Sequence, residues 1–227
     1  MAAHYAGRAV LGASGWALEL PGGARIPYDD GRAKRTADRI ASPDIEDTFA
    51  LGYPTGAIAA VTDPEDDPGR ARVEPLFRAT YGASERDVSS ALVPVKLAGK
   101  TVRFHRRAAP ALERVGARLE ALLGADPALG RFFRVLGGTF ASRAIAGTER
   151  TSAHAWGIAI DIDTSHADYW RNTPTPRWRN RIPQAIVDAF EAEGFVWGGR
   201  WFHYDTMHFE YRPELLDARC RAPRPGR

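Results

Sequence analysis

Cysteine, lysine and long apolar runs are scarce in this 227-residue chain, and each scarcity excludes something. Cys220 is the only cysteine, so no intramolecular disulfide and no thiolate cluster for a metal can form. It lies in an Arg/Pro-rich tail and reads as an idle surface thiol. Lys34, Lys96 and Lys100 are the only lysines, so arginine supplies almost all of the 31 basic residues, which face 28 acidic ones for a formal charge of +3. Arginines scattered among acids describe a solvated surface. With no polybasic run, nucleic acid is excluded as an expected partner, although weak attraction to an anionic polymer stays open. No stretch approaches eighteen apolar residues, so no transmembrane helix is expected. The mildly apolar run Ala9 to Leu20 is interrupted by Gly12, Ser14, Gly15 and Glu19. It makes a poor export-signal core, so an exported protein of this sequence would need a signal outside it or an unconventional one.

What remains is the composition of a soluble globular protein, 44% hydrophobic and 26% charged. Gly15 to Leu20 and Ala24 to Tyr28 read as strands around the turn Pro21-Gly22-Gly23. Residues 29 to 90 are rich in Asp, Pro, Gly and Arg and read as an irregular segment wrapped on the domain. Within them Asp63 to Arg70 is a turn cluster without the spacing of a calcium loop. Ala91 to Leu97 and Thr101 to His105 form a second strand pair. Leu112, Val115, Leu119 and Leu122 make the apolar stripe of a helix that Asp126-Pro127 closes. A second helix starts at Pro183, presents Ile186, Ala189 and Phe190 on one face, and ends at Gly194. Phe195 to Trp197 and His208 to Tyr211 are short strands. Mixed order without βαβ alternation predicts an α+β fold, an antiparallel sheet with flanking helices. The expected organisation is an N-terminal hairpin and wrapping segment over 1–90, a core over 91–216, and a polar tail over 217–227.

Two segments carry residues suited to chemistry. From Ile158 the chain alternates, with Ile158, Ile160 and Ile162 on one face and Ala159, Asp161 and Asp163 on the other. That is a strand with one side on a core and one side lining a site. His154 precedes it on a loop, and Gly157 permits a sharp entry. In the second segment Asp205 and His208 are three apart, so a turn at Thr206-Met207 is needed to bring both to one centre. Two imidazoles and a carboxylate are ligand types that catalytic zinc accepts, with a fourth position left for water. A further carboxylate that is not a ligand can move the proton of that water, a role that fits Asp205. Taken alone, however, two histidines and two aspartates can equally be unrelated surface groups, and the helix-borne HEXXH motif is absent.

The two segments together resemble the signatures of the zinc D-alanyl-D-alanine carboxypeptidase and dipeptidase family, the VanY and VanX type. Ser152, His154, Gly157, Ala159 and Asp161 match its Ser-x-His-x-x-Gly-x-Ala-x-Asp, and Asp205 with His208 match its late acid-x-x-His. Tyr53-Pro54-Thr55-Gly56 and Gly147-Thr148-Glu149-Arg150 extend the likeness to the larger members, over about residues 25 to 216. The resemblance implies one zinc per chain on the sheet, in a D,D-peptidase or hedgehog-like fold, held by His154, Asp161 and His208. It implies Asp205 as general base and acid, and Arg143 on the substrate carbonyl and developing oxyanion. It further implies hydrolysis of peptidoglycan stem peptides, outside the cytoplasm in the periplasm or beyond, as a D,D-carboxypeptidase. An L-alanyl-D-glutamate endopeptidase and a non-catalytic wall-binding module are the alternatives. The smaller dipeptidases carry Glu where this chain has Asp205, so dipeptide specificity is not carried over. Ser152 is expected to orient His154 or touch substrate, and Trp201 to line a substrate wall. Glu210 is expected either behind His208 or at the surface, His203 at the rim, and Asp163 and His166 in a turn. For a terminal carboxylate, Arg143, Arg150 and Arg200 are the candidate anchors.

Overall fold

The computed structural model describes residues 1–145, 147–175 and 177–220; the end of the expected polar tail, 221–227, lies outside them. Three small antiparallel sheets and six α-helices form the fold among these residues. The first sheet joins β1 (Arg8–Gly12), β2 (Gly15–Glu19) and β3 (Arg25–Pro27) in sequence order. After α1 (Thr36–Ala41) the chain runs as an extended strap to α2 (Glu74–Tyr81) and α3 (Glu85–Ser90). The hairpin of β4 (Leu92–Leu97) and β5 (Lys100–His105) leads into the long helix α4 (Ala109–Ala125). The third sheet has the order β6-β8-β7, from β6 (Ala159–Asp161), β7 (Phe195–Trp197) and β8 (His208–Tyr211). Helix α5 (Gln184–Glu191) precedes β7, and α6 (Pro213–Leu216) follows β8. Helices with antiparallel strands make this a mixed architecture compatible with the expected α+β class. Among the described residues no helix is long and apolar enough to cross a membrane.

The apolar stripe of α4 behaves as its spacing predicts: Leu112, Val115 and Leu119 are buried and Leu122 partly so. Pro183 sits at the N-cap of α5 rather than inside its first turn, and Gly194 follows the helix with φ 88°. The segment read as irregular contains two helices of the core. Leu76, Phe77, Thr80 and Tyr81 of α2 are buried, and Phe77 packs on Trp156 with ring centroids 4.9 Å apart. One buried apolar cluster runs from Tyr5 through α2, the β4–β5 hairpin and α4 to Phe209 of β8.

The strap between α1 and α2 is fastened by polar contacts as well as by buried apolar residues such as Ile45, Tyr53 and Val73. Tyr53 donates to Glu191 at 2.7 Å and accepts the Trp197 N–H at 2.8 Å. Arg200 is buried and spends its guanidinium on Glu191 and on the carbonyls of Gly56 and Ala57. Further along, the Pro68 carbonyl accepts from the Trp201 indole, and the Gly69 and Ala71 carbonyls accept from Arg212. Backbone oxygens lacking a strand partner are thus paired by side chains that flank β7 and β8, as buried carbonyls require.

Candidate metal centre

The third sheet brings the two sequence segments together. In the β6–β8 register Asp161 stands opposite His208, Ile160 opposite Phe209 and Ala159 opposite Glu210. Directly opposed residues share a face of the sheet, so Asp161 and His208 point the same way while Ile160 and Phe209 are fully buried on the other. The turn anticipated at Thr206-Met207 is closed by the His208 N–H donating to the Asp205 carbonyl at 3.1 Å. His154 comes from a 3-10 turn, Ala153–Trp156, whose first residues are capped by Ser152: its Oγ accepts the His154 N–H at 3.3 Å. Gly157 ends that turn at φ 64°, and a Cβ there would lie 2.5 Å from Leu92 Cδ2, so only glycine gives this entry into β6.

Three atoms converge. His154 Nε2 lies 3.1 Å from Asp161 Oδ1 and 3.2 Å from His208 Nδ1, and His208 Nδ1 lies 3.1 Å from Asp161 Oδ1. Tetrahedral zinc with nitrogen and oxygen ligands at about 2.0–2.1 Å needs ligand atoms roughly 3.3 Å apart, so this near-equilateral triangle fits one face of such a site. The electrostatics also ask for a cation. Burial alone would lower the His208 imidazole, yet its hydrogen bonds to the carboxylates of Asp161 and Glu210, and their charges, push it up to about 10. Burial would raise Asp161, but the hydrogen bonds and charges of His154 and His208 hold it well below the usual carboxylate range. Positive charge is favoured at this point, whether a proton or a metal supplies it.

The far side of His208 is built with equal care. Its Nε2 faces Glu210 Oε2 at 3.0 Å, which leaves Nδ1 directed at the centre. Glu210 is fully buried and is held by both Arg72 and Arg212. Burial would raise this carboxyl too, but Arg72 and its neighbours keep it far below its ordinary value. Of the two expectations for Glu210, the place behind His208 is the one observed.

A cavity of about 250 Å³ opens over the triangle. Asp205 lines it, half-buried as a residue, with one oxygen, Oδ1, buried and without a hydrogen-bond partner among the described residues. Burial pushes its carboxyl up to about 7 against the pull of His208, Arg70 and Arg143. Arg143 also lines the cavity; it is exposed, and among the described residues its side chain has no hydrogen bond or ion pair. It borders a second cleft as well, of about 330 Å³, beneath α2 and α3. Trp201 is 4% exposed, gives its indole N–H to Pro68 at 2.7 Å, and has its ring 5.8 Å from that of His208. It also lines the cavity.

Gly198 is buried against Asp205 and Trp201, Gly199 beneath Trp197, and Arg200 is committed to the strap. Arg150 donates to the Arg70 carbonyl at 3.0 Å; burial, with Arg72 and Arg70 beside it, lowers its guanidinium to about 9. Asp163 caps the short turn Thr164–His166, as a turn residue should. His203 is on the cavity rim, paired with Asp67 at 2.6 Å. Arg70, Arg72 and Tyr169 line the same cavity and were not singled out from the sequence. Arg70 and Arg72 lie in the strap, whose docking depends on distant residues.

Among the described residues, three convergent donor atoms, a carboxylate with an unpartnered oxygen and the Arg143 guanidinium meet on one cavity. Comparison with protein families bears on this site: residues 146–211 match the model of a family described as D-alanyl-D-alanine carboxypeptidase. This is the VanY-type family that the two motifs resemble. The match includes His154, Asp161, Asp205 and His208 and begins after Arg143. It supports a peptidase, and it suggests a metal-dependent one that acts on peptidoglycan peptides.

Proposed function

We propose that the chain is a zinc peptidase of peptidoglycan stem peptides, that one zinc is held by His154, Asp161 and His208, and that its reaction releases terminal D-alanine. The reading rests above all on the 3.1–3.2 Å triangle of donor atoms beside the unpartnered oxygen of Asp205. Bound zinc would supply a Lewis acid and make a water acidic enough to deprotonate near neutral pH. Asp205 takes the proton of the attacking water and delivers it to the leaving amine. Arg143, at the cavity edge and unpaired among the described residues, steadies the carbonyl oxygen as charge grows on it. Glu210 fixes the tautomer and orientation of His208. A purely binding module has no use for a base three residues before a ligand, which weighs against that alternative. The substrate would place the protein in the periplasm or outside the cell.

A second reading, an endopeptidase cutting between L-alanine and D-glutamate, is favoured by one observation: the cleft under α2 and α3 adjoins the site through Arg143 and lengthens it. Zinc-loaded protein incubated with a pentapeptide stem, with products identified by mass spectrometry, separates the readings. Release of one D-alanine is the expected outcome. A cut between L-alanine and D-glutamate would promote the endopeptidase, and no cleavage of any stem bond would sink both.

A further inference from the structure

We propose that Arg70, a strap residue held by Asp67 beside Trp201, binds the terminal carboxylate of the peptide substrate. The inference rests on the peptidase reading above for its substrate, but on separate residues for its geometry. A free-ended peptide needs a cation near the scissile bond, and a planar guanidinium with unspent donors suits a carboxylate best. Three arginines line the cavity: Arg70, Arg72 and Arg143. Arg72 is consumed by two hydrogen bonds to buried Glu210. Arg143 already serves the carbonyl oxygen. Arg150 and Arg200 do not line the cavity, and both are spent on the strap.

Arg70 alone is both held and available. Its Nη1 donates to Asp67 Oδ2 at 2.7 Å, and Nε and Nη2 have no partner among the described residues. The guanidinium carbon lies over the Trp201 ring, 5.7 Å from its centre, within reach of a cation–π attraction. Its own carbonyl accepts from Arg150, and the carbonyls on either side, of Gly69 and Ala71, accept from Arg212, so the backbone beneath it is pinned. Asp67 has a side chain only 1% exposed and also accepts the backbone N–H of His203 at 3.0 Å. It is a positioning residue: its oxygens are committed to Arg70 and His203, so it holds the guanidinium by Nη1 and leaves Nε and Nη2 to face a ligand. A carboxylate on Arg70 would sit beside the centre, with the rest of the peptide leaving past Arg143 into the second cleft.

Calorimetry on the zinc-loaded Asp205→Asn protein, titrated with a stem peptide ending in D-Ala-D-Ala or with its C-terminal amide, reads the anchor without turnover. The acid should bind about a hundredfold tighter than the amide, as a charge-assisted forked contact gives. Adding Arg70→Ala should bring that ratio to about threefold or less, Arg70→Lys should leave it intermediate, and Asp67→Asn should reduce it with Arg70 still present. Arg143→Ala should leave the ratio standing. An undiminished ratio in folded Arg70→Ala and Arg70→Lys proteins, or no acid preference in the parent, overturns the proposal. A ratio that follows Arg70 in a protein whose Asp205 parent cleaves no stem peptide would keep the anchor and remove the peptidase reading instead.

Discussion

Glu210→Gln is the substitution that probes the candidate centre most sharply, because it removes one charge and almost no volume. All four strong contacts of the Glu210 carboxylate come from donors: Oε1 accepts from Arg72 and Arg212, and Oε2 accepts from Arg72 and His208. Whichever oxygen becomes an amide, two donors then face an N–H₂ in a site that is fully buried. Two buried guanidiniums would be left with Glu214 as the remaining carboxylate partner, and the local charge would become positive beside a dication. Breaking a buried ion pair by removing one partner costs roughly 3–5 kcal/mol. For a chain of this size that corresponds to roughly 6–20 °C in the melting temperature of metal-free protein, at about 2–4 °C per kcal/mol. Separately, loss of the acceptor behind His208 should weaken zinc binding by about 10–100-fold, the usual consequence of losing such a partner. Competition against a chromogenic chelator measures the second effect and calorimetric melting of the metal-free protein the first. Zinc affinity within about twofold of the parent, in a variant that melts as the parent does, would refute the account of how His208 is held.

Asp205→Asn should keep its metal and lose about 10²–10⁴ in turnover, and loss of the metal along with activity would make Asp205 a ligand rather than a base. Burial raises the Asp205 carboxyl to about 7 in the metal-free site, and the base works ionised, so turnover in the parent should fall along an acid limb. Bound zinc would shift the limb to lower pH, and its persistence in Asp205→Asn would refute the assignment. Lys34, whose side chain is 2% exposed, holds Asp30, Asp44 and Asp47 together at 2.5–3.0 Å, so Lys34→Met should cost roughly 3–5 kcal/mol at neutral pH. That penalty should shrink as acid protonates the stranded carboxylates, and a melting curve equal to the parent's at pH 7 would contradict it. Gly157→Ala forces both a left-handed φ and a 2.5 Å contact with Leu92, so His154 should shift and chelator competition should show weakened zinc binding. Unchanged affinity would mean that the turn does not place the ligand.

The parts of the site that local pattern controls were legible in the sequence. Alternation of Ile158, Ile160 and Ile162 announced which face of β6 is core, and with it the face that carries Asp161. Three-residue spacing of Asp205 and His208 demanded the turn that Thr206-Met207 makes. Helices α2 and α3 were missed although their signals are present. Pro75 stands in the first turn of α2, and Ser84 with Asp87 forms a capping box for α3. Each helix is at most eight residues long, too short for an apolar period to stand out among the surrounding Asp, Gly and Pro.

Arginine marks the real limit. Side-chain type fixes what a guanidinium can do, but its role depends on which of its donors are already taken, and that is settled by chain segments far apart in sequence. Arg200 adjoins the second motif yet is spent on Glu191 and on the carbonyls of Gly56 and Ala57. Arg72 lies 138 residues from Glu210 and is consumed by it. Arg70, in a stretch with no motif at all, reaches the cavity because Trp201 and Arg212 grip the carbonyls around it. Pairing of this kind has no period and no spacing to read. A sequence argument can therefore place histidines and aspartates that share one strand or one turn. It cannot choose among many arginines, because what selects them is the docking of the strap.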